Sequence, residues 1–113
     1  MSANKIGAPA IIRILHRKYQ LIFVDHPSKV DPHGEYEPNR GQIRYQEGTI
    51  TICGGESMCP DQQWGTLFHE ATHGFLEAMG DKSAHDEDVV NRLSMAIMQL
   101  IRDNPWLADV SKV

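Results

Sequence analysis

At 113 residues, with 41% apolar and 23% charged side chains, the chain can bury one modest core and is too apolar for a disordered segment. Its net charge of −4, without a basic block or stripe, argues against a nucleic-acid partner, because nothing is arranged to neutralise phosphates. No apolar run approaches the roughly 20 residues that span a bilayer. The N-terminal apolar patch breaks at Arg13, too early for a signal peptide, so a cytoplasmic protein without a membrane partner is expected.

In chain order, the first half reads as β. Ile11 to Leu15 and Tyr19 to Val24 are short apolar runs around His16-Arg17-Lys18 and predict a hairpin. Residues 25–34, DHPSKVDPHG, carry two prolines and a glycine and predict a loop. Turn signals follow at Pro38-Asn39, Arg40-Gly41 and Glu47-Gly48. Between and after them, Ile43 and Tyr45, then Ile50 and Ile52, alternate with polar neighbours at the period of half-buried strands. Placed at a sheet edge, the strand Thr49 to Ile52 would offer a peptide a pairing partner. Cys53 and Cys59 lack the second pair that a structural zinc site brings, and read as free thiols.

The second half reads as α. Pro60 and Asp61 suit the first turn of a helix running to about Met79 and ended by Gly80-Asp81. Ser83 is the expected cap of a second helix, with Asp86 as a weaker capping-box partner. That helix continues to about Asp103, where Asn104-Pro105 stops it. The expected fold is one α+β domain over residues 1–113: a small, mostly antiparallel sheet followed by two long helices.

The first helix carries His69-Glu70-Ala71-Thr72-His73, the H-E-x-x-H form. On a helix, residues four apart lie about 40° apart around the axis and one turn above each other, so both imidazoles can reach one ion. Glu70 is then rotated by about 100°, beside the metal, where a carboxylate can deprotonate a water. On the same wheel Leu67, Ala71, Trp64, Phe75, Phe68 and Ala78 fill an arc of roughly 160° to 260°, the expected core face. Thr66 and Thr72 flank the histidines, where a hydroxyl or carbonyl behind each ring would orient the N–H that does not bind metal. Catalytic zinc usually takes a third protein ligand. On the second helix an apolar stripe runs from Val89, Leu93, Ala96 and Leu100 on through Ile97, Val90, Ile101 and Ser94, and Glu87, which borders it, is the favoured third ligand, with His85 as its rival.

The stretches GQIRYQEGTITI, QQWGTLFHEATHGFLEAMG and DEDVVNRLSMAIMQLIRDNPWL resemble small zinc metallopeptidases of the ImmA/IrrE type, found in phages and mobile elements, and the minimal gluzincins. The resemblance spans about Ile11 to Leu107. It implies a zincin-like fold in which the H-E-x-x-H helix is followed by a glutamate-bearing helix. It implies Zn²⁺ as cofactor, His69, His73 and Glu87 as its ligands and Glu70 as general base or acid. It implies a protein or peptide substrate, a phage or host regulator by family analogy. A Tyr or His that steadies the oxyanion is also implied, with His85, Tyr36 and Tyr45 as candidates. Ser94 stands where the pattern usually has a small apolar residue. The expected function is therefore zinc-dependent peptide-bond hydrolysis. The alternative is a catalytically silent zinc-binding module that sequesters a partner protein. Residues 1–10 or 108–113 would confer latency if they lay in the cleft.

Overall fold

The computed structural model describes residues 3–25, 40–54 and 59–112. Residues 26–39 lie outside the description, and with them nearly all of the expected loop, the Pro38-Asn39 turn and Tyr36.

Strands β1 (Ile11–Ile14) and β2 (Arg17–Val24) form the expected hairpin. Its connection is tighter than the sequence suggests. Only Leu15 and His16 lie between the paired Ile14 and Arg17, and Leu15 takes φ 55°, the backbone twist that two-residue hairpins favour. Strands β3 (Gly41–Arg44) and β4 (Thr49–Cys53) pair antiparallel. Their turn closes at Gly48, whose φ of 68° suits a residue without Cβ.

The sheet order is β1-β2-β4-β3, with β2 and β4 parallel. The architecture is thus α+β with a mixed sheet, antiparallel at its two outer pairings and parallel at its centre. The condition under which Thr49 to Ile52 would offer a peptide a pairing partner, a place at the sheet edge, is not met: it is an ordinary structural strand. β4 is hydrogen-bonded on both sides, to β2 and to β3, and Ile50, Ile52 and Cys53 are fully buried. The alternation of Thr and Ile gave it the look of a half-exposed strand, but Thr51 is buried as well. Among the described residues β3 pairs only with β4 and β1 only with β2, so these two strands are the edges, β3 the one next to β4.

Helix α1 (Pro60–Ala78) lies against the sheet. Leu67 joins Ile14, Tyr19, Leu21, Ile50 and Ile52 in the main core. Each such side chain contributes about 1.5–3 kcal/mol on burial. At Gly74 a Cβ would sit 3.1 Å from the Cδ1 atoms of both Ile14 and Ile43, so the glycine lets helix and sheet approach. Gln63 is fully buried; it accepts from Lys5 N–H at 2.9 Å and donates to the Ala3 carbonyl at 2.6 Å and the Cys53 carbonyl at 3.3 Å. It pins the N-terminal segment and β4 to α1.

The expected core arc of α1 is only partly right. Leu67 is buried, yet Trp64 and Phe75 remain 40% and 39% exposed. The sheet instead meets Gln63, Leu67, Glu70 and Gly74, while Leu76 packs with Ala84 and Val90 in a second cluster. The helix is covered on two separate sides, and the polar Gln63, Glu70 and His73 occupy them.

After α1 a 3-10 turn, Lys82–His85, precedes α2 (Glu87–Asp103). This displaces the cap expected at Ser83. Asp81 caps the 3-10 turn by accepting from Ser83 N–H at 2.8 Å. Asp86 caps α2 by accepting from Asp88 and Val89 N–H at 3.1 and 3.2 Å. The helix ends before Asn104-Pro105, and a 3-10 segment, Pro105–Lys112, follows. α2 runs antiparallel to α1, with Arg102 at its end 3.7 Å from Asp61 at the start of α1. Among the described residues no helix is long and apolar enough to cross a membrane.

Candidate metal centre

Three elements meet at one open cleft of about 690 Å³. α1 forms its floor, β3 one wall, and α2 with the preceding 3-10 turn the other. Because α2 folds back along α1, its first residue reaches the middle of that helix. Glu87 Oε2 lies 2.9 Å from His69 Nε2, and Oε1 lies 3.0 Å from His73 Nε2. The two imidazoles stand edge to face, 4.9 Å between centroids. The helical spacing of His69 and His73 thus brings both rings to one carboxylate.

The tautomer of His73 follows from its other nitrogen. Nδ1 lies 2.6 Å from the Ala84 carbonyl, which has no proton to give, so Nδ1–H is the donor. In the neutral ring Nε2 then carries a lone pair aimed at a carboxylate oxygen, a clash of acceptors that either a proton on the ring or a bound cation between them removes. The sequence suggested Thr66 and Thr72 as the groups flanking the rings. Both hydroxyls instead bond within their own helix, to the Gln62 carbonyl at 2.9 Å and the Phe68 carbonyl at 2.7 Å. The supporting atom is a backbone oxygen of the 3-10 turn, which no side-chain pattern announces.

Glu70 sits beside this group and beneath β3. Its Oε2 is buried without a hydrogen-bond partner, an acceptor left for a ligand or water. Burial pushes its carboxyl up to about 7; the nearby His73 opposes the rise and Glu87 adds to it. Gly41 makes room for Glu70. A Cβ there would lie 2.4 Å from Thr66 Cγ2 and 3.3 Å from Glu70 Cγ. The sequence marked Gly41 only as part of a turn; its role is close approach between strand and helix.

The ligand atoms of His69, Glu70 and His73 lie within 4.8 Å of one another, so this His-Glu-His group can hold a metal ion. Glu87 is the carboxylate in direct contact with both rings; it is 72% exposed, so it can shift with little cost to admit an ion. His85 stands apart from that cluster, edge-on to Tyr45 with centroids 6.1 Å apart, and both line the cleft. Desolvation, and after it the negative charge of Glu77 and Glu70, push the Tyr45 phenol up to about 12, so its O–H stays a donor at neutral pH. Cys53 is buried and Cys59 exposed, both as free thiols.

The remaining cleft walls come from Gln42 and Ile43 on β3 and from Asn91, Met95 and Met98 on α2. Among the described residues, none of 3–10 or 108–110 lines the cleft. No family model, no curated protein and no solved structure matches the chain.

Proposed function

We propose that the chain is a zinc-dependent endopeptidase of the gluzincin kind, similar to the ImmA/IrrE-type enzymes. The observation that carries this reading is the meeting of His69 Nε2, His73 Nε2 and both Glu87 oxygens at 2.9–3.0 Å, with the buried Glu70, its Oε2 without a partner, alongside. Two imidazoles and one carboxylate are a donor set suited to Zn²⁺ at a site that keeps a position open. Zinc, when bound, supplies Lewis acidity toward a peptide carbonyl and a water.

The chain's own residues do the rest. His69, His73 and Glu87 hold the ion, and the Ala84 carbonyl orients His73 for it. Glu70 takes a proton from the water and passes it to the leaving amine; a carboxyl shifted toward neutrality is suited to both transfers. Tyr45 O–H is the donor for the developing oxyanion, with His85 packed against its ring. An extended peptide substrate lies along β3, whose outer edge offers backbone N–H and C=O groups to it. The substrate is a protein, a phage or host regulator by analogy with the family resembled.

The test is proteolysis of a denatured proteome by the zinc-loaded protein, with the Glu70→Gln variant as control. New termini that appear with the wild type and not with the variant support the reading. Equal patterns from both would overturn it, and would favour a zinc module that sequesters its partner uncut.

A further inference from the structure

The side of the molecule opposite the cleft carries an apolar face that the described residues cover only in part. On α1, Trp64, Phe68, Ala71, Phe75 and Ala78 recur at alternating four- and three-residue steps. On α2, Val89, Leu93, Ala96 and Leu100 do the same. This is the seam spacing of helices that pack nearly aligned in bundles. Inside one copy the seams are only partly filled: Ala71 packs against the main core, while the largest side chains stay open. Trp64 and Phe75 are 40% and 39% exposed, and Leu93 and Leu100 are 39% and 55% exposed. α2 buries only Val90 and Ser94.

The two seams belong to one surface. α1 and α2 are antiparallel, held by Glu87 to the histidines at one end and by Arg102 to Asp61 at the other. Counting about 100° per residue, Trp64 and Phe75 lie roughly 120–140° from His69. Leu93 and Leu100 lie roughly 120–140° from Glu87 in the same rotational sense. In an antiparallel pair equal turns away from the shared cleft lead to the same opposite side. No charged residue falls within either seam.

We infer that this two-helix face is the interface of a homodimer, in which two copies stack back to back through a four-helix core and leave both clefts open outward. A second copy is the occupant that fits. A two-fold interface needs a face complementary to itself, and an uncharged seam alternating large and small side chains meets that need without a partner of opposite charge. Charge depletion with aromatic anchors is also the composition of an interface core. The exposed apolar area is on the order of 500 Å² per copy, most of the ~800 Å² that a stable interface buries on each side. The inference does not depend on the metal or on catalysis.

Sedimentation velocity on the full chain at micromolar concentration tests it, alongside Leu93→Glu and Leu100→Glu. Both positions are exposed in one copy, so the variants keep their fold, which far-UV circular dichroism checks. The expected result is a wild-type dimer, and variants whose dissociation constant rises more than about tenfold. A wild-type monomer at the highest concentration reached would overturn the inference and leave the face to a different protein or a lipid surface. A dimer unaffected by both substitutions would overturn it equally, since the contact would then lie elsewhere.

Discussion

The Nδ1–H of His73 is donated to the backbone carbonyl of Ala84 across 2.6 Å. That one bond fixes the tautomer, turns Nε2 into the cleft and ties helix α1 to the 3-10 turn that delivers Glu87. It makes the supporting turn part of the centre: a residue whose side chain never enters the cleft sets how a ligand ring stands. Metal affinity is therefore expected to depend on the 3-10 turn. Replacing Ala84 with Pro alters the backbone that presents this carbonyl and should weaken zinc binding by about 10–100-fold, read by competition with a chromophoric chelator. Unchanged affinity would show that the bond does not orient the ring for metal.

Glu70→Gln keeps the volume of the side chain and removes its ability to take a proton. The variant should bind zinc as the wild type does and lose about 10²–10⁴-fold in turnover. Loss of zinc along with activity would instead make Glu70 a ligand, which its place among the three clustered donors also permits.

The metal-free protein should become less stable as pH rises through neutrality, because of Glu70. Its folded carboxyl is raised from 4.5 to about 7, so between these values the folded state holds a proton that the unfolded chain has released. Stability from this group is complete below pH 4.5 and is lost as pH climbs through about 7. The full effect is on the order of 3 kcal/mol. Urea denaturation of the chelator-treated protein from pH 4.5 to 8 should show the slope, and Glu70→Gln should flatten it. Parallel curves for the two proteins would remove Glu70 as the cause.

Gly41→Ala should reduce activity more than it reduces zinc binding. The added Cβ meets Thr66 at 2.4 Å and Glu70 at 3.3 Å, so it displaces the base and leaves the three ligands largely in place. Steady-state kinetics beside zinc titration would separate the two. A variant with wild-type turnover would mean that β3 yields without moving Glu70.

Much of the centre was legible because helices write their geometry in spacing. Pro60 and Gly80 bounded the first helix and the Asn104-Pro105 stop the end of the second within a residue or two, although the second starts at Glu87 rather than after Ser83; the four-residue step of His69 and His73 placed their rings together. The wheel on α2 put Glu87 next to the apolar stripe, where the fold brings it to the rings. Strand pairing was not legible. Thr49 to Cys53 is too short for alternation to reveal whether it has one neighbour or two, so its place in the sheet stayed open. Nor does a wheel say what covers an apolar arc. Trp64 and Phe75 look like core on α1, and the sheet approaches a different side, through the small Gly74 and the buried Gln63. The Ala84 carbonyl had no signature at all, since any residue supplies one.

The central claim is that His69, His73 and Glu87 close around one metal ion. Elemental analysis after equilibrium dialysis against zinc tests it most directly, on the wild type and on His73→Ala and Glu87→Ala. About one zinc per chain is expected for the wild type, none retained by His73→Ala, and a sharply weakened site in Glu87→Ala. Full zinc occupancy in His73→Ala, or a wild type that holds no zinc, would contradict it.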